Sequence, residues 1–497
     1  TELARQASNG APIDLKIGAL RRWSPADPAL YDLRVRILEG ERVVDAVDSY
    51  FALRSIVCRP DAAGVPRFFL NGEALFQFGL LDQGFWPDGL YTAPTDAALR
   101  YDLEVTKALG FNLVRKHVKV EPERWYYHCD RLGLLVWQDI PSGGPYIGPA
   151  DPDAVRAPQN AANFEREAAR IVDAFGHHPC IVSWVLFNEG WGQYDTERLA
   201  AWLADFDPSR VVNATSGWSD RGVGQVHDLH AYPGPAVPRP GAPRVAVLGE
   251  FGGLGLPLSG HTWQKDENWG YRSFTSKQEL NDAYLALVAR LRPLISQGLA
   301  AAVYTQTTDV EIEVNGVMSY DREVLKLDDP RVVAANRLLY LPPPSVEELV
   351  ATSQSVPQIW RYTLQPPADG WERRGFDDGS WRTGRGGFGT EGTPGAVVGT
   401  TWSSGEIWLR REVVIPDLPE DGTLALRIHH DERAQVYWNG ALVADLDGYT
   451  SDYVFVPLTE ADRAHFAAGS NTIAVRCRQT SGGQFLDLGL SVLRERR

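Results

Sequence analysis

Between Phe68 and Tyr340 the chain repeatedly passes from a short apolar run to a segment with helical spacing, and this alternation limits its possible folds more than any other feature. The strand candidates are ALFQFGLLD (74–82), FNLVRKH (111–117), LLVWQDI (134–140), CIVSWVLFNE (180–189), RVVNATSG (210–217), QVHDLHAY (225–232), RVAVLGE (244–250) and AAVYTQTTD (301–309). Between most of them lie stretches such as TDAALRYDLEVTKALG, NFEREAARIVDAFG and KQELNDAYLALVARLRPLISQG, with apolar residues three and four apart. Eight strands is the number that closes a parallel barrel. No Gly-rich phosphate loop follows the first strand, so the pattern predicts a (β/α)8 TIM barrel rather than an open doubly wound sheet. The link between the fifth and sixth strands leaves room for a vestigial helix only.

All-β patterning flanks this region. Ahead of it stand IDLKIG, LYDLRVRILEG and RVVDAVDSYFALRSI, separated by Gly or Pro turns. Three or four strands fall short of the roughly seven that close a sandwich. The expectation is a partial sandwich whose other half lies outside this chain or is supplied by something else. After the proline stretch LPPPSVEE (341–348), segments such as EIWLRREVVI, TLALRIHH and NTIAVRCRQT predict a jelly roll or similar sandwich. Its Trp438-Asn439-Gly440 should form a hairpin turn. The boundaries drawn are 1–57, 58–345 and 346–497.

Composition narrows the partners. A net charge of −15 argues against a nucleic-acid phosphate backbone, which is bound by clustered Lys and Arg. No apolar run approaches the roughly 18 residues of a membrane span. The four cysteines are scattered and suggest neither zinc nor a disulfide framework. Sixteen tryptophans exceed what a core of this size requires, and indoles offer flat platforms to sugar rings. The first residue is Thr, so the chain reads as a processed or truncated product from which a leader could already be gone. Localisation, cytoplasmic or exported, is open, as is homo-oligomerisation.

In such a barrel, function gathers at the C-terminal ends of the strands. The residues expected there are Asp82, Arg115, His117, Asp139, Asn188, Glu189, Trp218, His230, Tyr232, Glu250, Thr305 and Gln306. Two are glutamates that close buried strands and are flanked by glycine, in SWVLFNEGWGQ and RVAVLGEFGG. A lone Glu at a strand end is ordinarily solvated or caps a helix. Two of them over one barrel mouth fit glycosidic bond cleavage, in which one carboxyl group protonates the leaving oxygen and the other attacks or stabilises the anomeric carbon. The other candidates have structural readings: Arg115 as a counter-ion, and His117 and His230 as satisfied barrel histidines. His177 and His178 read as structural. Asp309, Glu311 and Glu313 in DVEIEV read as one solvated strand face, with a cation site as the lesser alternative. Trp402, Trp408, Tyr437 and Trp438 read as core rather than sugar platform.

HHPCIVSWVLFNEGWGQ resembles the acid/base segment of glycoside hydrolase family two, the β-galactosidase, β-glucuronidase and β-mannosidase group. VLGEFGG is similar to that family's nucleophile segment, and FFLNGEALFQFGLLDQ and GFNLVRKHVKVEPERWYYHCDRLGLLVWQDIP resemble its first three barrel strands. The resemblance covers roughly residues 20 to 340. It implies Glu189 as acid/base, Glu250 as nucleophile, Asn188 as partner of the sugar 2-hydroxyl, Tyr232 as a phenol beside the nucleophile, and a retaining, exo-acting, cofactor-independent reaction on a carbohydrate. It also implies that the opening fragment, with WSPADPALY, is the end of an immunoglobulin-like domain, and that a domain similar to the family's sugar-binding jelly roll stands at the C-terminus. No Asn-x-Lys occurs, so the uronate-reading pair of the glucuronidases is lacking. A β-galactosidase-like activity is expected, with a furanosidase or β-mannosidase on the same scaffold, or a non-catalytic carbohydrate-binding protein, as alternatives.

Overall fold

The structure, a computed structural model, describes all residues except 1–4, 9, 19, 239–242, 451 and 496–497. The chain divides into two compact units, Thr1–His227 with Pro243–Val245, and Asp228–Ala242 with Ala246–Arg497.

The first unit opens with an antiparallel hairpin of β1 (Tyr31–Glu39) and β2 (Arg42–Phe51), followed by a three-stranded sheet of β3 (Ile56–Pro60), β4 (Pro66–Leu70) and β5 (Glu73–Ala74). Residues 13–18, expected as a strand, are irregular. The hairpin is tied down at its far end, where the Tyr50 hydroxyl donates to Asp130 Oδ2 at 2.7 Å. Asp130 also accepts from the Cys180 N–H at 2.8 Å and pairs with His178 at 2.6 Å, which gives that histidine its expected structural role. Trp23, fully buried, donates its indole N–H to the Asp130 carbonyl.

Parallel strands then alternate with helices: β6 (Gln77–Asp82), α1 (Asp96–Ala108), β7 (Leu113–Lys116), α2 (Glu123–Leu132), β8 (Leu135–Asp139), α3 (Pro158–Phe175), β9 (Ile181–Val185), α4 (Thr196–Phe206) and β10 (Val211–Asn213). Their boundaries follow local chemistry. Thr95 caps α1 by accepting the Ala98 N–H, and α2 stops at Gly133 in a left-handed conformation. As expected, no full helix separates β10 from β11 (Val226–Ala231).

In the second unit follow β12 (Val245–Gly252), the short pair β13 (Leu254–Gly255) and β14 (Arg272–Ser273), α5 (Lys277–Ser296), β15 (Leu299–Thr305) and α6 (Pro330–Leu338). Eight of these strands belong to one sheet, ordered β10-β9-β8-β7-β6-β15-β12-β11, a near-closed parallel barrel. The acidic stretch DVEIEV departs from expectation. The last barrel strand ends at Thr305, and paired backbone bonds between Val310 and Glu313 turn the chain back. Asp309 is therefore 1% exposed, receiving the Lys326 ammonium at 2.6 and 2.7 Å, and is no part of a solvated strand face.

From Ser345 onward the second unit holds two six-stranded, largely antiparallel sheets. Their facing side chains form one core drawn from residues 350–492, including Trp402 and Trp438, with Trp408 also buried. The hairpin 433–446 turns at Asn439 and Gly440, both at positive φ, as the Asn-Gly pair anticipates.

Candidate active site

In the first unit the candidate residues form one buried network. Arg115 projects from β7 and is fully buried; its guanidinium makes a two-pronged contact with Asp139, at the end of β8, at 3.1 and 3.0 Å. The same group donates to Asn188 Oδ1 at 2.7 Å. Burial alone would raise the Asp139 carboxyl, but the Arg115 charge and the His117 contact outweigh it and hold the group below its ordinary value. His117 Nδ1 lies 3.4 Å from Asp139 Oδ2, and the Val118 N–H donates to the same oxygen. Because a guanidinium can only donate, the Asn188 oxygen must face Arg115, which turns the amide NH2 the other way as a donor. Asp82 is engaged differently: it pairs with the buried Lys116 at 2.7 Å, and Lys116 also meets Glu121. Asp82 is thus part of a buried ion cluster.

Glu189 is not the last residue of its strand. β9 ends at Val185, and Leu186–Asn188 run on as irregular backbone tied to the next strand: Ser216 donates its N–H to the Phe187 carbonyl and accepts the Glu189 N–H at 2.8 Å. Glu189 and Gly190 take positive φ in succession, 52° and 80°. For a glutamate this conformation costs on the order of 1–2 kcal/mol, so the surrounding bonds must hold it. Glycine is required next, since a Cβ at 190 would stand 2.2 Å from the Ile147 carbonyl oxygen. Trp191 is half exposed and lies against Tyr146, with ring centroids 5.4 Å apart; Trp218 is likewise exposed.

In the second unit Glu250 lies within β12 and is 5% exposed. Tyr232, just past β11, donates its hydroxyl to Glu250 Oε2 at 2.7 Å, and the Tyr232 hydroxyl oxygen is also 2.7 Å from Thr305 Oγ1. His230 Nδ1 is 3.5 Å from Glu250 Oε2. Burial first, then the Glu250 charge and the bond to it, raise the Tyr232 phenol well above its usual value, so it stays protonated and remains a donor. Gln306 is fully buried and donates to Asn315 Oδ1 at 2.9 Å.

The glycines after Glu250 have a steric cause. A Cβ on Gly253 would stand 2.3 Å from the Tyr271 ring and 3.1 Å from that of Tyr232. Those rings stack with centroids 3.8 Å apart and planes 4° from parallel, which fixes the phenol on Glu250. Tyr271 was beyond sequence reasoning, for it sits in a loop with no periodicity. A separate group, His261, Asp321 and Glu323, brings potential ligand atoms within 4.8 Å of one another. Its members are engaged already, His261 with Asp321 at 2.7 Å and Asp321 with Ser319.

The family model for the TIM barrel domain of glycosyl hydrolases family 2 matches residues 93–231, and a second model, glycosyl hydrolases family 2, matches residues 1–54. A protein of Formosa agariphila named putative beta-glucuronidase is 27% identical over 219 residues, covering 44% of this chain and 20% of that one. A beta-galactosidase of Aeromonas hydrophila subsp. hydrophila is 30% identical over 272 residues, covering 50% and 26%. The chain thus spans about a fifth to a quarter of the length of these curated relatives. In fold it is similar to the solved beta-D-glucuronidase of Dictyoglomus thermophilum, with a TM-score of 0.51 at 14% identity, covering 65% of this chain and 59% of that one. Part of the barrel and the segment ahead of it thus both match models of glycosyl hydrolases family 2.

Proposed function

We propose that the chain carries the catalytic apparatus of a retaining, exo-acting β-glycosidase, with Glu250 as nucleophile and Glu189 as acid/base. The observation that carries the assignment of roles is the Tyr232 hydroxyl on Glu250. A donor that stays protonated favours the ionised carboxylate, which is what an attacking group needs and a proton donor does not. Glu250 then attacks the anomeric carbon while Glu189 protonates the departing oxygen, leaving a glycosyl ester on Glu250. Glu189, now ionised, takes a proton from water as that water attacks the same carbon and Glu250 is released. The Asn188 amide, locked by Arg115, presents its NH2 to the oxygen of the sugar 2-hydroxyl.

The preferred sugar is a neutral β-galactoside. The relatives differ in the sugars their names carry, and what favours a neutral ring is the lack of an Asn-x-Lys pair. Azide rescue tests the roles. With an activated dinitrophenyl glycoside, Glu189→Ala should regain turnover in azide and release the β-glycosyl azide, whereas Glu250→Ala should give the α-azide. The opposite pairing of anomers would exchange the roles, and full activity of both variants on a poor leaving group would end the proposal. A panel of nitrophenyl glycosides, including the β-galactoside, β-glucuronide, β-mannoside and an arabinofuranoside, tests the sugar.

A further inference from the structure

A cavity of about 850 Å³ opens within the second unit, walled on one side by the Tyr232–Pro235 loop, Arg272–Thr275 and α5, and on the other by strands and loops of the C-terminal β domain. Its volume lies in the range of small-molecule sites, roughly 300–1,000 Å³. Its charges are unevenly satisfied. The acids lining it are all committed: Glu279 accepts from Thr275 at the start of α5, Asp282 binds Arg331 and Gln278, and Asp445 and Asp447 both face Arg433.

The two arginines lining it are not. Among the described residues Arg290, half-buried on α5, has no side-chain hydrogen bond and no acidic partner. Among the same residues Arg272 has only the face of Phe274, 5.2 Å away. Burial, and then the like charge of Arg272, depress the Arg290 guanidinium below its ordinary value. The charge of Arg290 in turn adds to burial in lowering His430, which lines the same cavity. Two guanidinium groups held within electrostatic reach of each other without a counter-ion repel, and removing one from water adds to that cost. An anion placed between them offsets both, and guanidinium is the group best shaped to grip a carboxylate or sulfate with paired hydrogen bonds. The rest of the wall suits a sugar ring: Tyr449 is 59% exposed, and Leu446, Val454 and Val456 form an apolar side.

We infer that this cavity binds an anionic sugar residue, one bearing a carboxylate or a sulfate ester, with Arg272 and Arg290 on the acid group and Tyr449 against the ring. Tyr232, which also holds Glu250, is among the residues lining the cavity, and on that adjacency the anionic residue is placed in the part of the substrate beyond the sugar being released. This deepens the glycosidase reading and rests on it for the direction of the chain. It gives the C-terminal β domain a share in selecting an acidic polysaccharide, although no uronate-reading motif is present in the sequence.

The test is equilibrium binding by calorimetry, using the full chain as Glu250→Gln to prevent turnover. Three probes are compared: a desulfated, neutral κ-carrageenan tetrasaccharide, its sulfated parent and an oligogalacturonate. At least one acidic probe should bind, the neutral one about 10- to 100-fold more weakly, and the difference should shrink as salt rises. Which acidic probe binds decides between sulfate and carboxylate. Adding Arg290→Met, or the exposed Arg272→Met, should abolish the preference. In the otherwise unaltered chain both arginine substitutions should leave hydrolysis of a small nitrophenyl glycoside unchanged. Equal binding of neutral and acidic probes, or an acidic preference that survives both arginine substitutions, overturns the inference. A preference for acidic probes without any glycoside turnover by the unaltered chain would sustain the site while removing the glycosidase reading.

Discussion

Replacing Tyr232 with Phe removes one oxygen from a buried position where it serves two partners, Glu250 Oε2 and Thr305 Oγ1, each at 2.7 Å. A hydrogen bond to a charged group contributes about 1.5–3 kcal/mol, and one pKa unit corresponds to about 1.4 kcal/mol. The phenol donates to the ionised carboxylate, so its loss makes Glu250 easier to protonate. The acid limb of kcat/KM against pH should therefore move up by about one to two units. The basic limb should not respond, because the Tyr232 phenol sits well above its usual value and does not ionise across the working range. The same bond stabilises Glu250 as the leaving group when the glycosyl ester is hydrolysed. That step should slow by about 10- to 100-fold, so that an activated substrate gives a burst followed by slow turnover. Stopped-flow release of dinitrophenolate across pH 4 to 9 measures both effects. Thermal melting of the variant separates them from a fold defect, since Thr305 loses its partner. An unmoved acid limb together with unchanged kcat would refute the claim that Tyr232 acts on the nucleophile.

Other substitutions test the scaffold. Asp139→Asn leaves the buried Arg115 without its counter-charge and should cost about 3–5 kcal/mol in denaturant unfolding; a loss under 1 kcal/mol would mean that Asn188 and other partners hold the guanidinium unaided. Gly249→Ala places a Cβ 2.2 Å from Asp228 Oδ1, beside Glu250, and should cost about 1–3 kcal/mol by melting and lower turnover as well. In the C-terminal domain, burial and the neighbouring Glu432 charge push Asp431 up to about 6 from 3.8. Stability from this group is fully present below about pH 4 and is lost as pH rises through 6. Asp431→Asn should therefore stabilise the protein at pH 8 by about 1 kcal/mol more than at pH 5, and equal effects at the two pH values would contradict that sign.

The barrel strands were legible in the sequence because an apolar run of five to eight residues bounded by turns has few alternative structures. Glu250 was legible with them, since an apolar strand carries it to its place. Glu189 was legible as a residue but not in its conformation. The apolar letters of SWVLF continue beyond Val185, where the strand stops, and only Gly190 hinted at a left-handed turn. Asp309 was misread because alternation of acids resembles a solvated edge, whereas the turn at Val310–Glu313 and the distant Lys326 that bury it leave no local trace. The pairing of Asp82 with a lysine on the neighbouring strand likewise leaves no local trace. The stack of Tyr271 on Tyr232 and the nearness of Arg272 to Arg290 are facts of the folded chain, and composition carries no sign of either.

The central claim is that Glu250 becomes covalently attached to the sugar while Glu189 handles the proton. A 2-deoxy-2-fluoro glycoside with a good leaving group, of the sugar the chain accepts, slows hydrolysis of the ester more than its formation and so traps the intermediate. Mass spectrometry of the digested protein should find the fluorosugar on the peptide carrying Val247–Gly253, with fragmentation placing it on Glu250 and turnover resuming as the label is released. The label on Glu189, or no label together with first-formed product of inverted anomeric configuration by nuclear magnetic resonance, would contradict the account.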